Sequence, residues 1–329
     1  MNHQLILKKN GKRIDLSPLI SNLTWTSNID TLGMELSFNF AINDTRYFEQ
    51  YNDLLETGDQ VVLLNGSKVL NYFIVVKEMS NGRYAKSYIC FDRAWYLNKN
   101  ETVIQFKKAT ATDAIQKLLD RFNIKHNIAS MNTLITKIYK DITLIDIIND
   151  ILYQVYFETK NVYRLEMDKD IVTIRKQSDL LINPMVRLSS NTNEFPTSET
   201  IAGLATEKSI ENMKNKVIVV SDTENSTNIF AEKSDQINID RYGLMTEVVT
   251  VNDKNAAQAR NIANTVLYQL SKTGNIVTCE MLGHDDIRSG RLIDLNEPIS
   301  GVVGRYLIRG VTHTINNGIH TSVLEMERG

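Results

Sequence analysis

The sequence predicts an α+β protein in which two β-rich regions flank a small α/β region. Three observations support this prediction, and the first is the placement of glycine, which marks tight turns between strands. None of the fifteen glycines lies between Gly82 and Gly203, whereas eight lie from Gly274 onward. The second observation is a pair of helix-start motifs in the middle of the chain. The third is an Asn-Gly dipeptide between apolar runs near each end of the chain.

The first β domain is predicted over residues 1–97. Apolar and polar residues alternate in Gly33–Ala41, which is typical of a half-buried strand. The segment Thr57–Gly66 has the pattern of a turn, a strand and a second turn. Two further apolar runs flank Asn81-Gly82, and an Asn-Gly dipeptide in that position indicates a hairpin.

The α/β domain is predicted over residues 98–177. Thr110–Asp113 and Thr143–Asp146 each place a threonine three residues before an aspartate, which is the pattern of a capped helix start. Each motif precedes an apolar stripe at helical spacing. The stripes comprise Ala114, Ile115, Leu118, Leu119 and Phe122 in the first helix, and Leu144, Ile147, Ile148, Ile151, Leu152 and Val155 in the second. Two strands, Asn161–Met167 and Ile171–Lys176, are predicted to follow.

A connecting segment is predicted over residues 178–206, which contain Pro184 and Pro196, and a second β domain over residues 207–329. The second β domain carries one predicted helix, with Asp253 as its cap and Gly274 at its end. The buried stripe of this helix comprises Ala259, Ile262, Ala263, Val266, Leu267 and Leu270. Strand-like runs follow, with Asn317-Gly318 as a second hairpin turn.

Composition and charge exclude several classes of function. The 329 residues are 42% apolar and 23% charged, and their net charge of -2 is not the basic signature of a nucleic-acid or anionic-membrane binder. Cys90 and Cys279 are too few for a disulfide framework and are expected to be small buried side chains. No apolar run has the length of a signal peptide or a spanning helix, so we expect a soluble protein made in a cytosol.

The segment Gly283–Leu295 contains a grouping that suggests a metal or catalytic site, His284-Asp285-Asp286. A metal site needs about three converging ligands, and only His313 and His320, on either side of the second hairpin turn, are expected to lie close together. We therefore interpret the grouping as a solvated polar turn and expect no functional metal.

Other candidate groupings also favour structural interpretations. Asp168 and Asp170 are interpreted as turn residues rather than a metal motif, and Tyr47, Phe48 and Tyr51 as core rather than a stacking platform. Lys8, Lys9, Lys12 and Arg13 are interpreted as a solvated hairpin tip. The sequence has no phosphate loop, zinc-protease motif or nucleophile elbow. We predict no catalytic residue, no cofactor-binding residue and no cofactor, and hence no enzyme.

The two ends of the chain resemble each other, which indicates an internal duplication. Four features recur in the same order: an alternating strand, an x-Gly turn before a strand, an aromatic-aliphatic run and an Asn-Gly hairpin. In this comparison Tyr72–Ile74 is matched with Tyr306–Ile308. The structural turn residues that follow from it are Gly58, Gly82, Gly290 and Gly318, and we expect the loop before Gly290 to be a variable connection.

Four segments in series carry a resemblance to a known family. They are Tyr242–Val251, the alanine-rich Ala256–Leu270, Val277–Leu295 and Gly304–Arg328. The series resembles the baseplate hub proteins of contractile tails, namely the phage late-control protein D group and its relatives in defective prophages and tail-like bacteriocins. The two capped helices and the hairpin in the middle are similar to the corresponding domain of such hubs.

The resemblance implies two tube-like β-barrel domains with a small α/β domain between them. It also implies a homotrimer whose six similar units form a ring on a hexameric tail tube and present threefold symmetry to a trimeric spike. The implied partners are the tail tube protein, the central spike protein and other baseplate proteins, without a small-molecule substrate, sequence-specific nucleic acid or membrane anchor. The implied location is the tail baseplate of a virion or tail-like particle, assembled in the bacterial host cytoplasm. The alternatives are a hub of a non-contractile tail tip and a peptidoglycan-acting enzyme that uses the His284 loop.

Overall fold

The computed structural model describes residues 3–42, 51–80, 82, 85–182, 187–188, 200–223, 226–251, 259–298 and 300–328. The chain divides into two compact units: one comprises residues 1–156, 161–205 and 277–329, and the other residues 157–160 and 206–276. Several residues named above lie outside the described ranges: Tyr47, Phe48, Asn81, Pro184, Pro196 and Asp253.

The N-terminal part of the larger unit is an antiparallel sheet. Its strands are β1 (His3–Lys9), β2 (Lys12–Asp15), β3 (Ile20–Asn28), β4 (Met34–Ala41), β5 (Gln60–Asn65), β6 (Lys68–Ser80) and β7 (Ala85–Asp92), paired in the order β3-β4-β7-β6-β5-β1-β2. The inward residues of β4 are Met34, Leu36, Phe38 and Phe40, as the alternation predicts. Side chains from β1, β3, β4, β5, β6 and β7 meet in one apolar cluster, so the sheet curls around its own core.

The middle of the chain is the predicted α/β region. Its elements are α1 (Trp95–Lys99), β8 (Glu101–Thr110), α2 (Ala111–Arg121), β9 (His126–Ile128), β10 (Leu134–Thr143), α3 (Leu144–Thr159), β11 (Tyr163–Asp168) and β12 (Ile171–Lys176). The amide of Asp113 donates to Thr110 Oγ1 at 3.1 Å, and that of Asp146 donates to Thr143 Oγ1 at 3.2 Å, which confirms both helix starts.

Strands β8 and β10, which pair with each other, escaped the sequence analysis. Each ends on the threonine that caps the next helix, so the chain passes from strand to helix without a glycine turn. The lack of glycine in this region is a sign of these direct connections and not of missing strands.

The remaining elements fill the C-terminal part of the chain. They are β13 (Leu181–Ile182), β14 (Arg187–Leu188), β15 (Thr200–Ser209), β16 (Lys216–Ser221), β17 (Ile229–Ser234), α4 (Gln236–Tyr242), β18 (Thr246–Val251), α5 (Ala259–Leu270), β19 (Gly274–Leu282), β20 (Leu292–Glu297), β21 (Val302–Asn316) and β22 (Ile319–Arg328). The predicted connecting segment 178–206 thus contains strand residues. Strand β13 pairs in parallel with the distant β20, and β14 pairs in parallel with β15, the next described strand along the chain. Parallel pairing leaves no hairpin signal in the sequence.

The smaller unit is a three-stranded sheet, β17-β16-β18, covered by α5. The predicted stripe of α5 is confirmed, because its alanine, isoleucine and valine residues are buried and its leucines are half-buried against the same cluster. The prediction that Gly274 ends the helix is wrong, since the helix ends at Leu270. The Asn238 side chain donates to the carbonyl of Ser271 at 3.0 Å, so the helix end is satisfied without a glycine cap.

Within the described residues, β19, β20, β21 and β22 continue the main sheet. Strand β21 pairs with β3 through Gly310–Ile315 and Leu23–Asn28, which joins a first half of the sheet (β3, β4, β7, β6, β5) to a second half (β15, β19, β22, β21, β20). The strand order is β3-β4-β7-β6-β5 in the first half and β15-β19-β22-β21-β20 in the second. The predicted α+β class, with strands predominant, is confirmed.

Backbone details of the two halves also correspond. The amide of Gly58 donates to Val75 O at 2.7 Å, and the amide of Gly290 donates to Ile308 O at 2.8 Å. A register shift follows Val75 in the pairing of β6 with β7, and one follows Ile308 in the pairing of β21 with β22. In these backbone details Val75 corresponds to Ile308, whereas the sequence comparison matched Ile74 with Ile308.

The glycines expected at turns have left-handed backbone angles. Gly58, Gly82, Gly290 and Gly318 have φ values of 93°, 75°, 79° and 76°, and each lies in a turn or bend. Asn317 also has positive φ, at 50°, as a tight two-residue hairpin requires. Among the described residues, no helix combines the length and hydropathy that crossing a membrane requires.

Replacement of Gly318 tests the hairpin geometry. A β carbon at this position would meet nothing within 4 Å, so backbone strain is the main cost of any substitution. We expect Gly318→Val to lower the free energy of unfolding by about 1–3 kcal/mol in urea titrations, because β-branched residues are strained at positive φ. The control, Gly318→Asn, should cost less because asparagine tolerates this conformation. Equal stability of the valine and wild-type proteins would contradict the assignment.

Candidate functional site

The segment with the His284-Asp285-Asp286 grouping lies between β19 and β20, and we call residues Gly283–Arg291 the junction segment. It contains turns, as expected, and His284 and Asp286 are exposed. The Lys68 ammonium donates to Asp286 at 3.0 Å on the surface. Ile287 is buried, however, and the side chain of Asp285 is only 12% exposed. The interpretation as a solvated connection is therefore wrong for Asp285 and Ile287.

Asp285 is held by two residues from the N-terminal sheet. His3 Nε2 lies 2.9 Å from Asp285 Oδ1, and Asn65 Nδ2 donates to Asp285 Oδ2 at 2.8 Å. Burial by itself would raise the pKa of the Asp285 carboxyl, but the hydrogen bonds from His3 and Asn65 outweigh it and lower the pKa to about 2. Asp285 is thus a carboxylate at neutral pH, with both oxygens engaged.

The two histidines of the C-terminal hairpin meet, as the sequence predicts. His313 Nδ1 lies 3.0 Å from His320 Nε2, and His313 Nε2 lies 3.0 Å from the carbonyl oxygen of Ile287. A carbonyl only accepts, so His313 Nε2 carries a proton and donates to it. The Ser322 hydroxyl also lies 2.8 Å from His313 Nδ1, on the acceptor side of the ring.

Burial keeps both rings neutral. It lowers the pKa of His313 to about 3, with repulsion from His320 adding to the effect. It lowers the pKa of His320 to about 4, with repulsion from His3 adding to the effect. In neutral His313, Nδ1 is an acceptor, so the hydrogen bond between the two rings has His320 Nε2 as its donor, and the Ser322 hydroxyl shares the same lone pair. The other nitrogen of His320, Nδ1, then carries a lone pair.

Trp25 packs these imidazoles together. It is the cross-strand partner of His313, and the two rings stack with centroids 4.8 Å apart and planes within 9°. The His3 and His320 rings meet edge to face at 4.7 Å. We call His3, Trp25, Asp285, His313 and His320 the histidine cluster.

Gly283 allows the junction segment to approach this cluster. Its amide donates to the carbonyl of His320 at 2.8 Å. A β carbon at this position would lie 2.2 Å from the His320 ring, closer than any real contact. The position therefore requires glycine for close approach, although its φ is not in the left-handed region.

The C-terminal end of the junction segment is anchored by buried charges. Arg288 donates to the carbonyl of Met167 at 2.8 Å, and its guanidinium lies 3.9 Å from both Asp92 and Glu166. Arg291 forms an ion pair with Glu166 at 2.8 Å. Glu166 is also paired with Arg175. The junction segment thus ties β11 of the α/β region to the end of β7.

Charge balance in this network follows from burial and pairing. Burial would raise the pKa of Glu166, but Arg288 and Arg291 lower it to about 2. Burial raises the pKa of Asp92, and the nearby Arg288 and the amides of Met34 and Ala94 only partly oppose this rise. Removing one member of such a network leaves a buried charge unpaired, which is strongly destabilising.

The other sequence candidates have structural roles. Asp168 ends β11, and Asp170 lies in the two-residue turn that follows, in which Lys169 has a φ of 59°. Lys8, Lys9, Lys12 and Arg13 lie at the tip of the β1–β2 hairpin, where Lys9 is paired with Glu56 and Asp59. Tyr51 packs against the apolar cluster of the N-terminal sheet, and Cys90 and Cys279 are buried.

The residues that the sequence analysis missed are His3, Trp25, Asn65, Glu166, Arg288 and Arg291. Three members of the histidine cluster, His3, Asp285 and His320, each bring a potential metal-ligand atom within 4.8 Å of the other two. The expectation that only His313 and His320 lie close together is therefore wrong. No local sequence pattern predicts the contact between His3 and Asp285, because the two residues are 282 positions apart.

Comparisons with known proteins agree with the fold. A profile of the family described as YQBQ-like matches residues 23–327. A comparison with curated proteins gives no significant match.

Several solved structures are similar in fold. The 43 kDa tail protein of prophage MuSo2 from Shewanella oneidensis has a TM-score of 0.71 at 12% identity, covering 99% of this chain and 98% of that one. The tail protein from Neisseria meningitidis MC58 has a TM-score of 0.72 at 13% identity, covering 100% and 97%. The E. coli c3393 protein, a type VI secretion component described as structurally similar to bacteriophage T4 tail proteins gp27 and gp5, has a TM-score of 0.53 at 11% identity, covering 94% and 74%.

Substitution of Gly283 tests the close approach at the cluster. We expect Gly283→Ala to destabilise the protein by about 1–3 kcal/mol, because the added methyl group overlaps the His320 ring and forces a shift. Gly203→Ala is the control, since its β carbon would meet Glu280 only at 3.9 Å, an ordinary contact. Chemical denaturation of both variants measures the difference. Equal stabilities would mean that the junction segment does not press on the ring.

The stability of the metal-free protein should depend on pH through the histidine cluster. The folded-state pKa values of about 3 and 4 lie below the unfolded value of about 6.5, so the unfolded chain takes up protons first as the pH falls. Stability is therefore fully present above pH 6.5 and falls, by on the order of a few kcal/mol, toward pH 4. Urea titrations in chelator at several pH values measure this slope. His313→Gln should flatten it, whereas His126→Gln, outside the cluster, should not.

Proposed function

The chain belongs to the YQBQ-like family, and from this premise we propose that it is the baseplate hub of a contractile phage tail or tail-like particle. Its fold, shared with tail proteins from Shewanella and Neisseria over nearly the whole chain, supports a tail component. The likeness to the E. coli type VI secretion component, itself described as similar to T4 tail proteins, supports a position near the spike.

The observation that carries the proposal is the matching of the two sheet halves. They share the strand order, the glycine turn before β5 and β20, and the bulge after Val75 and Ile308. We propose that this correspondence is an internal duplication of a tube-like domain, with the α/β region between the copies. Three such chains supply six similar units, which is the number that a hexameric tail tube presents.

The edge between the two halves suggests how a ring closes. The second part of β21, Gly310–Ile315, is covered by β3 of the first half. The equivalent part of β6, beyond Val75, has no strand paired on that side within the described residues. An uncovered strand edge is a site for pairing with another chain. Strand β15 corresponds to β3 by its place beside β19, so we propose that β15 of a neighbouring subunit covers β6.

A closed ring of three subunits follows from repeating this contact. Heterologous contacts close into rings when the rotation permits, and two units per chain convert threefold into approximate sixfold symmetry. The sixfold face would bind the tail tube protein, and the threefold arrangement would bind the central spike and other baseplate proteins. The proposed location is the tail baseplate, with assembly in the bacterial host cytoplasm.

We propose a structural and not a hydrolytic role for the junction segment. Asp285 is tied to His3 and Asn65, and Arg288 to Met167, Glu166 and Asp92, so these groups hold strands together. The exposed pair in the segment, His284 and Asp286, contacts Lys68 and solvent. Hydrolysis of peptidoglycan that is lost in a His284→Ala, Asp286→Ala variant with normal assembly would favour the enzyme instead.

The oligomeric state is the first test of the hub proposal. We expect native mass spectrometry to show three copies, either alone or with the spike partner, because mass action with a partner favours the assembled state. A stable dimer under both conditions would rule out the ring.

Cross-linking tests the contact itself. Lys77 on β6 and Ala205 on β15 are both exposed. Six strands separate β15 from β6 in the sheet order, so a link between the two residues joins two subunits. We expect a Lys77→Cys, Ala205→Cys variant to give linked dimers and trimers with a short bis-maleimide, since Cys90 and Cys279 are buried. The control pair, Lys77→Cys with Val323→Cys, places the second thiol on β22 and should remain monomeric on denaturing gels. Equal cross-linking of the two pairs would contradict the proposed edge.

A further inference from the structure

We infer that His3, Asp285 and His320 form a binding site for one divalent transition-metal ion of the zinc type. The three side chains come from β1, the junction segment and β22, and each offers a ligand atom within 4.8 Å of the other two. Two imidazoles and one carboxylate are a donor set that zinc uses in proteins, with water at the fourth position. This inference does not depend on the proposed hub function.

The strongest sign of a ligand is an atom whose hydrogen-bonding capacity is unused. His320 is 2% exposed, and its Nδ1 has no hydrogen-bond partner in the described part of the chain. Its Nε2 is occupied as the donor to His313 Nδ1. A buried acceptor without a partner costs about 1–3 kcal/mol, and such groups are rare in native proteins. A metal ion bound to Nδ1 would satisfy the lone pair.

The second ring nitrogen of His320 has the partner that a metal ligand normally has. Metal-bound histidines usually donate their other N–H to an acceptor, which fixes the tautomer and the ring orientation. Here His320 donates to His313, and His313 in turn donates to the carbonyl of Ile287 at 3.0 Å. Trp25 stacks on His313 and holds this chain of rings in place. These hydrogen bonds thus favour the tautomer of His320 in which Nδ1 carries the lone pair.

The carboxylate is similarly prepared. Asn65 donates to Asp285 Oδ2 at 2.8 Å, which leaves Oδ1 directed at His3 Nε2. These two atoms are 2.9 Å apart. Ligands of a tetrahedral zinc ion with bonds of about 2.0–2.1 Å lie about 3.3 Å apart. Binding would therefore open this pair slightly and bring the three ligand atoms, which now lie within 4.8 Å of one another, to that spacing.

The alternative explanation is a hydrogen-bonded network that binds no ion. That network accounts for His3, Asp285 and Asn65, but it leaves His320 Nδ1 unsatisfied. The ion would link β1, β22 and the junction segment. Its chemical class follows from the donors, because imidazole nitrogen favours zinc, cobalt, nickel and copper over magnesium and calcium.

The test is metal binding by the full-length protein, prepared without a histidine tag and treated with chelator. We expect calorimetry to show one Zn²⁺ per chain, and Co²⁺ to give the visible absorption of a site with low coordination number. Bound Zn²⁺ should also raise the melting temperature, because the ion binds the native state. No heat with Zn²⁺ and no Co²⁺ absorption in the wild-type protein would overturn the inference.

Variants locate the ion. We expect His3→Gln and His320→Gln each to weaken Zn²⁺ binding at least about 10-fold, since even an outer-shell change costs 10–100-fold. The matched controls are His284→Gln, in the same segment but outside the trio, and His126→Gln on β9. Equal affinities in all four variants would overturn the inference.

A measurement on the wild-type protein covers the case in which a variant fails to fold. Zinc X-ray absorption counts imidazole ligands from their multiple scattering, and we expect two per ion. A spectrum without imidazole scattering would place the zinc on surface carboxylates and overturn the inference.

Discussion

The antiparallel pairing of β3 with β21 is the contact on which the rest of the main sheet depends. It joins strands from opposite ends of the chain, and it is possible because β21, at fifteen residues, extends past β20 and offers its second part to β3. Trp25 and His313 are partners in this register, so the pairing also builds the stacked centre of the histidine cluster. A slip of one residue would place Trp25 and His313 on opposite faces of the sheet and break the stack.

Buried polar groups lie beside this pairing, with apolar cores on either side of them. The histidine cluster and the Glu166 network take neutral imidazoles and paired charges out of water, which is tolerable only when nearly every group has a partner. The junction segment supplies these partners at both of its ends, Asp285 at one and Arg288 with Arg291 at the other. The junction segment therefore connects the sheet and the α/β region through buried polar contacts and is more than a loop between two strands.

These contacts explain how the connection before the glycine turn can differ between two similar halves and still be needed for the structure. In the second half the connection before the glycine turn contacts β1, β11 and β21, and these contacts have chemistry of their own. Metal binding at His3, Asp285 and His320 would strengthen a connection that hydrogen bonds already form. The proposed hub function would need such internal rigidity, because the proposed ring would transmit load between subunits through its strands.

The sequence by itself determined the features that depend on neighbours along the chain. Threonine caps at Thr110 and Thr143, the stripe of α5, the alternation in β4 and the left-handed turn at Asn317-Gly318 all rest on local geometry. Even the proximity of His313 and His320 followed from a single hairpin. Strands β8 and β10 were missed because each runs straight into a capped helix. Only the tertiary structure decided that Asp285 is buried while Asp286 is exposed, since their partners, His3 and Lys68, come from strands far along the chain. The same holds for Arg288 and Glu166, because the cost of burying a charge depends on which distant residue the fold places beside it.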